Sequence, residues 1–220
     1  MGIGKFFSEA GKLLIMGVGI SDSGTIPRKI DLSKIVSPPV VSAQDSAQNP
    51  ERWRLKNCSA SIVEFKGKEA AWLTAPDNDG LAFYDGLELS AGKIDLLLVA
   101  RTQSVGVVVR AHHERGYEIV SFDFTADSEA GRLTLAVNFD SQRAIVELPA
   151  RLIDEWVAVR IVLAQTFTAV FLNHSNVPCL KVEAKQPYVS GGGIGLWIGA
   201  GSQALVADLK YLQSKKRDFE

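Results

Sequence analysis

From Trp53 to Leu212 the apolar residues of this 220-residue chain recur at every second position, in short runs separated by turn residues. A period of two belongs to a strand with one buried face, whereas a helix would repeat every 3.6 residues. Ser61-Ile-Val-Glu-Phe65 and Glu69-Ala-Ala-Trp-Leu73, joined by Lys66-Gly67-Lys68, predict a β-hairpin. Residues 76–80 form a loop, and strands follow at 81–89 and 93–100. A second hairpin pairs 106–112 with 117–124 across His113-Glu-Arg-Gly116. Further strands are predicted at 132–138, 144–148, 156–163, 168–172 and 179–183, with one short helical turn between them at 149–155. The last stretch combines a glycine-rich turn (Ser190-Gly-Gly-Gly), an apolar run to Ile198, a second turn at 199–201 and an alternating run to Leu212. It reads as two strands and a corner around which the other strands assemble. So many short strands, with no alternating helices, predict an all-β antiparallel sandwich of the jelly-roll type.

Composition sets the outer limits. Hydrophobic residues make up 46% of the chain, which suits a globular domain with a sizeable core. With 24 basic and 25 acidic residues there is no field to attract a polyanion, so no nucleic-acid partner is expected. Lys215-Lys216-Arg217 is read as part of a solvated tail. No apolar run approaches the roughly 18 residues that cross a bilayer, so no transmembrane segment is expected. Residues 1–49 are set apart as an N-terminal extension, 50–213 as the sandwich and 214–220 as a charged tail. In the extension, Phe6, Phe7, Ala10, Leu13 and Leu14 recur at helical spacing, ended by Gly17 and Gly19. A linker-like stretch containing Pro27 and Pro38-Pro39 follows. The extension can serve as a lid, a membrane-surface contact or an oligomerisation arm, and a packing role is preferred. Its first residues imitate a signal peptide only in part, because Glu9 interrupts the basic region and no small-x-small site follows. A cytoplasmic location is therefore favoured over export. Cys58 and Cys179 have no metal-type spacing. They are two free thiols, or one disulfide if the compartment is oxidising.

Several motifs then resemble one family in the right order. Asp85-Gly86 with Gly92-Lys-Ile-Asp95-Leu is similar to the "dG-x-i-x-x-D" strand pair of concanavalin A-like, laminin G-like domains. Val105-Gly-Val-Val-Val-Arg110 with Gly116-Tyr-Glu118 resembles their "G-x-x-f-R … y-E" hairpin, and Trp156-Val-Ala-Val-Arg160 their "W-x-x-v-k/r" strand. Phe171-Leu-Asn173 with Val177-Pro178 resembles "v-y-l-N … P", and 195–210 the closing "G-l-w … f-d-d-l-k". The resemblance covers roughly residues 53–212. It implies two antiparallel sheets and a concave face on which relatives hold glycans, other ligands or catalytic carboxylates. The nearest patterns are uncharacterised bacterial laminin G-type proteins and the 3-keto-disaccharide hydrolase family. This chain has Gln103-Ser-Val-Gly106 where that family carries "N-S-G", and it lacks the E-x-D-x-x-E strand of family-16 glycosidases.

Alternation places Arg110 and His112 on one face of their strand and Glu118 on one face of the next, so the three can share the concave surface. Arg110 is the candidate ligand contact, a guanidinium able to hold a sugar or a carboxylate. His112, Glu118 and Asp95, the last facing the same side as Leu97, are the candidate acid–base residues. The alternative for Arg110 and Glu118 is a cross-strand ion pair on a solvated face. Tyr84, Trp72 and Trp197 are the candidate stacking platforms, with Trp156 assigned to the core. Asp77 and Asp79 are the candidate ligands of a calcium ion, and no other cofactor is expected. Three function classes follow: a domain binding a glycan or small molecule on its concave face, an enzyme on the same scaffold (glycoside hydrolase- or lyase-like, or a small-molecule cyclase or isomerase), and a structural or homo-oligomerising domain.

Overall fold

The computed structural model describes residues 53–100, 104–112, 116–125, 132–139, 142–149, 155–183 and 191–213. The proposed N-terminal helix and the charged tail lie outside them. Every regular element among the described residues is a strand. In chain order these are β1 (Trp53–Lys56), β2 (Ser59–Phe65), β3 (Lys68–Ala75), β4 (Gly80–Leu89) and β5 (Gly92–Ala100). A meander of β6 (Ser104–His112), β7 (Gly116–Thr125), β8 (Arg132–Phe139) and β9 (Gln142–Pro149) follows. Then come β10 (Val157–Leu163), β11 (Phe167–Leu172), β12 (Leu180–Glu183), β13 (Gly192–Ile198) and β14 (Ser202–Gln213). Pro149, expected to open a helical turn, instead closes β9.

Two seven-stranded sheets result. Sheet A runs β1-β4-β13-β6-β7-β8-β9 and sheet B runs β12-β11-β10-β5-β14-β3-β2. The two closing strands do not pair with each other. β13 completes sheet A between β4 and β6, and β14 completes sheet B between β5 and β3. The corner between them is held by Ser202 N–H to Gly199 O (2.9 Å) and Gly201 N–H to Ala75 O (2.7 Å). Gly192 and Gly193, read from the sequence as a turn, are part of β13 itself. The β2–β3 hairpin does turn as predicted, with Lys66 and Gly67 both left-handed (φ 47° and 74°). That pair of conformations matches the right-handed twist of the strands.

The core lies between the sheets. Val105, Val107, Val109, Val120, Phe122, Leu196 and Ile198 come from sheet A and meet Ile94, Leu96, Leu98, Val159, Ile161 and Val206 from sheet B. Each full burial of such a side chain contributes about 1.5–3 kcal/mol. Cys58 and Cys179 pack at the margin of this cluster as free thiols.

Candidate functional site

A regular β6 that keeps Val105, Val107 and Val109 inward would send Arg110 outward, as the alternation predicts. It does not. The β6–β7 register shifts between Val109 and His112, and Arg110 takes the left-handed conformation (φ 52°). This bulge, an irregularity that re-aims a side chain, turns the guanidinium into the interior. There Nη1 donates to Glu118 Oε2 (2.7 Å) and Thr168 Oγ1 (2.7 Å), and Nη2 donates to Ala164 O (2.6 Å). The Thr168 hydroxyl in turn donates a hydrogen bond to Glu118 Oε1 (3.0 Å). Glu118 lies opposite Val109 on sheet A, whereas Thr168 belongs to sheet B, so the group pins one sheet to the other. Arg110 and Glu118 are 3% and 4% exposed. The expected placement on a ligand-accessible face, whether as binding residues or as a solvated ion pair, is thus corrected: both charges are sealed in the core.

The proposed acid–base residues are not brought together. Glu118 is interior and Asp95 stands on the outer face of sheet B, beside Leu97 as alternation predicts. His112 ends β6 opposite Gly116, and its side chain lies outside the described residues. Tyr84 is also a correction. It is 5% exposed and packs edge-on against Trp53 at 5.3 Å, so it offers no platform. Trp72 is half-buried in the apolar cluster on the outer side of sheet B, with Val99 and Leu205. Asp77 and Asp79 lie exposed in the β3–β4 loop, and Asp79 Oδ1 already accepts the Ala200 N–H (3.0 Å). Among the described residues no group of three His, Cys, Asp or Glu side chains gathers as a metal would require. Burial pushes both thiols up, Cys179 to about 12.

Trp197 is placed differently. Its neighbours Leu196 and Ile198 enter the core, so Trp197 projects from the outer face of sheet A, where it is half-buried. It pairs with Gly106 on one side and Leu81 on the other. On the same face Phe83 of β4 and Tyr117 of β7 bring their rings to 6.5 Å, edge to face. Two strands, β13 and β6, run between them, which separates the backbones by roughly 14 Å. The rings therefore lean together over Gly195 and Val108, which explains why outward-pointing Val108 has no exposure. A Cβ at Gly195 would sit 3.1 Å from the Phe83 ring, and one at Gly106 would sit 2.7 Å from Ile119. The absent side chains leave room for the neighbours to lie flat. Tyr117 keeps 44% of its surface in solvent.

A cleft of about 610 Å³ occupies the outer face of sheet B, with Trp156, Leu97, Asp95 and Arg160 among its walls. Trp156, assigned from sequence to the core, is instead half-buried at this outer surface, against Phe65 at 5.7 Å. Among the described residues no helix is long and apolar enough to cross a membrane.

Several solved structures superpose on the chain. One is a GH16 protein of the mixed-linkage glucan locus of Bacteroides ovatus, in complex with a G4G4G3G product. It has a TM-score of 0.57 at 8% identity, over 74% of this chain and 96% of that one. Another is the carbohydrate-binding module CBM66 from Bacillus subtilis, with a TM-score of 0.51 at 6% identity over 73% and 98%. A third is a protein of unknown function with a galectin-like fold from Bacillus subtilis, at 0.51 and 11% over 76% and 91%. The fold is a concanavalin A-like jelly roll. At these identities the likeness is one of fold. No family model matches the sequence, and no curated protein matches it.

The residues that carried the resemblance mostly build this jelly roll. Gly86 is left-handed (φ 77°), and Arg110 and Glu118 tie the sheets. Sequence reasoning missed Phe83 and Tyr117 as surface aromatics. The signal was present in Glu118, because fixing it as inward forces Tyr117 outward.

Proposed function

We propose that this jelly roll is a glycan-binding domain whose ligand lies across the outer face of sheet A, against Trp197. The observation that carries the reading is the outward, half-exposed indole beside Gly106, on the face where Phe83 and Tyr117 also stand. A sugar ring presents one C–H-rich face, and a flat indole is its natural partner because it combines a large apolar area with few degrees of freedom. Half-buried Asp123, which accepts the hydroxyl of buried Ser121 (3.4 Å), adds a polar group on the same face. The fold neighbours support the reading at a coarse level, since one is a carbohydrate-binding module and another holds a glucan product. Binding is favoured over hydrolysis because Glu118 and Asp95 lie on opposite sides of sheet B's backbone.

The test is a panel of neutral β-glucan and fructan oligosaccharides screened by calorimetry against the wild type and Trp197→Ala. A ligand is expected whose affinity falls by about tenfold or more in the variant, roughly 1.4 kcal/mol. Thermal stability should change little. Undiminished affinity in Trp197→Ala, or no neutral oligosaccharide bound, overturns the proposal.

A further inference from the structure

The cleft on the outer face of sheet B contains charged groups that the fold does not consume. Arg160 is anchored by its Nε, which donates to Asp95 Oδ1 at 2.6 Å. Asp95 is in turn 3.4 Å from Lys93 Nζ. Arg160 makes no other hydrogen bond or ion pair among the described residues, so its two Nη groups keep their donors. Those donors form a fork whose geometry matches a carboxylate. Its side chain is 30% exposed, which leaves the fork accessible and partly shielded from water. Lys210 pairs across the strands with Asp95 and lines the same cleft, and its ammonium has no partner among the described residues.

Backbone irregularity concentrates here as well. Asp208 is left-handed (φ 52°) at a bulge that shifts the β14–β5 register between Ala207 and Lys210. The bulge sends Asp208 to Lys68 (2.9 Å) and leaves Lys210 over Asp95. Asn173 and His174, both left-handed (φ 49° and 59°), form another wall. Asn173 Oδ1 accepts the Ala158 N–H (3.2 Å), and its amide NH2 remains able to donate. Three of the chain's non-glycine left-handed residues thus border one cavity, as happens where a surface is shaped for a ligand. At the far end Trp156 buries its indole Nε1–H without an acceptor. Between them lie Leu97 and Ala158.

From these features we infer a second binding site, distinct from the sheet A face, for an elongated monoanion with a carboxylate at one end and a ring at the other. Arg160 takes the carboxylate with Lys210 beside it, and the ring lies against Trp156 and Leu97. The charges agree with an anion: Lys68, Arg160 and Lys210 face Asp95 and Asp208, an excess of one positive charge on the cleft wall. The dimensions agree with an elongated ligand. Trp156 and Arg160 are four residues apart along an extended chain, about 13 Å. The cleft volume lies within the range of about 300–1,000 Å³ usual for small-molecule sites. Such a carboxylate can belong to an acidic disaccharide or to an aromatic acid.

The experiment measures binding of three probes to the full chain by calorimetry: cellobiouronic acid, its neutral counterpart cellobiose, and 4-phenylbutyrate. At least one acid should bind, at least about tenfold tighter than cellobiose binds to the same site. Raising the salt concentration should weaken it, since the head group is held by charge. Preference between the two acids reports whether the ring is a sugar or an arene. Arg160→Lys keeps the positive charge but loses the fork, and should weaken the acid by about tenfold. Lys210→Gln alters an exposed side chain with no partner to disturb among the described residues, and it should weaken the acid several-fold. Trp197→Ala should leave acid binding unchanged, which separates this site from the sheet A face. The inference is overturned if neither acid binds, if acid and neutral sugar bind alike, or if Lys210→Gln and Arg160→Lys leave the affinity intact.

Discussion

Arg110 and Glu118 sit 2.7 Å apart with almost no contact with water, and Thr168 from the other sheet is hydrogen-bonded to both. Taking two charges out of water is costly, and removing only one of them strands the other. Arg110→Ala or Glu118→Ala is therefore expected to lower unfolding free energy by about 3–5 kcal/mol. The double change Arg110→Met with Glu118→Leu should recover much of that loss, because no buried charge is then left alone. Urea denaturation of the three variants checks this. Single variants as stable as the wild type would remove the pin from the description of the core. Cys179 makes a different residue-scale prediction. Burial raises its thiol from 9.0 to about 12, so the protonated form is the one the fold favours. Its contribution to stability is fully present below pH 9 and is lost as pH rises through about 12. Iodoacetamide at pH 8 should leave Cys179 unmodified in the folded protein and label it after unfolding, as mass spectrometry would read.

Bulges set the direction of the important side chains at the level of single strands. The bulge in β6 turns Arg110 inward, and the one in β14 leaves Lys210 outward. The first depends on its neighbour in β13. A Cβ at Gly192 would stand 2.5 Å from the Arg110 carbonyl carbon, a backbone atom that cannot move aside alone. Gly192→Ala should therefore cost about 1–3 kcal/mol or more, the range for forcing extra atoms into a packed interior. Gly67→Ala provides the contrast. Nothing lies within 4 Å of its Cβ position, so only its left-handed φ of 74° resists the change. A loss of about 1–2 kcal/mol is expected there. Thermal or urea unfolding distinguishes the two, and hydrogen exchange adds a local readout. Gly192→Ala should speed exchange in β6 and β13, whereas Gly67→Ala should act at the β2–β3 hairpin alone.

The chain order of the whole molecule makes its last strands decisive. β13 fills sheet A between β4 and β6, and β14 fills sheet B between β5 and β3. Both sheets remain split until residues 192–213 arrive, and half of the twelve strand pairings join strands that are not consecutive in sequence. Such topologies fold slowly, because loops must close before contacts reward them. A chain ending at residue 190 should lack cooperative unfolding and expose apolar surface. Far-ultraviolet circular dichroism with a dye-binding assay would detect both. A truncated chain that unfolds cooperatively would show that one sheet can stand alone. The two outer faces differ at this scale too, since sheet A presents aromatic rings and sheet B a charged cleft. The two binding proposals can therefore succeed or fail separately.

Alternating apolar residues and glycine turns from Trp53 onward were enough to determine an all-β sandwich and the position of most of its strands. Period-two burial is a local property, and it survives whatever the strand pairs with. The same rule placed Asp95 beside Leu97 and is consistent with an outward Trp197. It failed at Arg110, because a single left-handed residue reverses the phase of a strand and nothing in the sequence of β6 marks it. It failed at Tyr84 and Trp156 because alternation gives two faces without saying which one meets the other sheet. That choice depends on pairing between residues far apart in the chain, as when β13 lies between β4 and β6. Only the tertiary structure decided it, and with it which charges were sealed in the core and which were left facing a ligand.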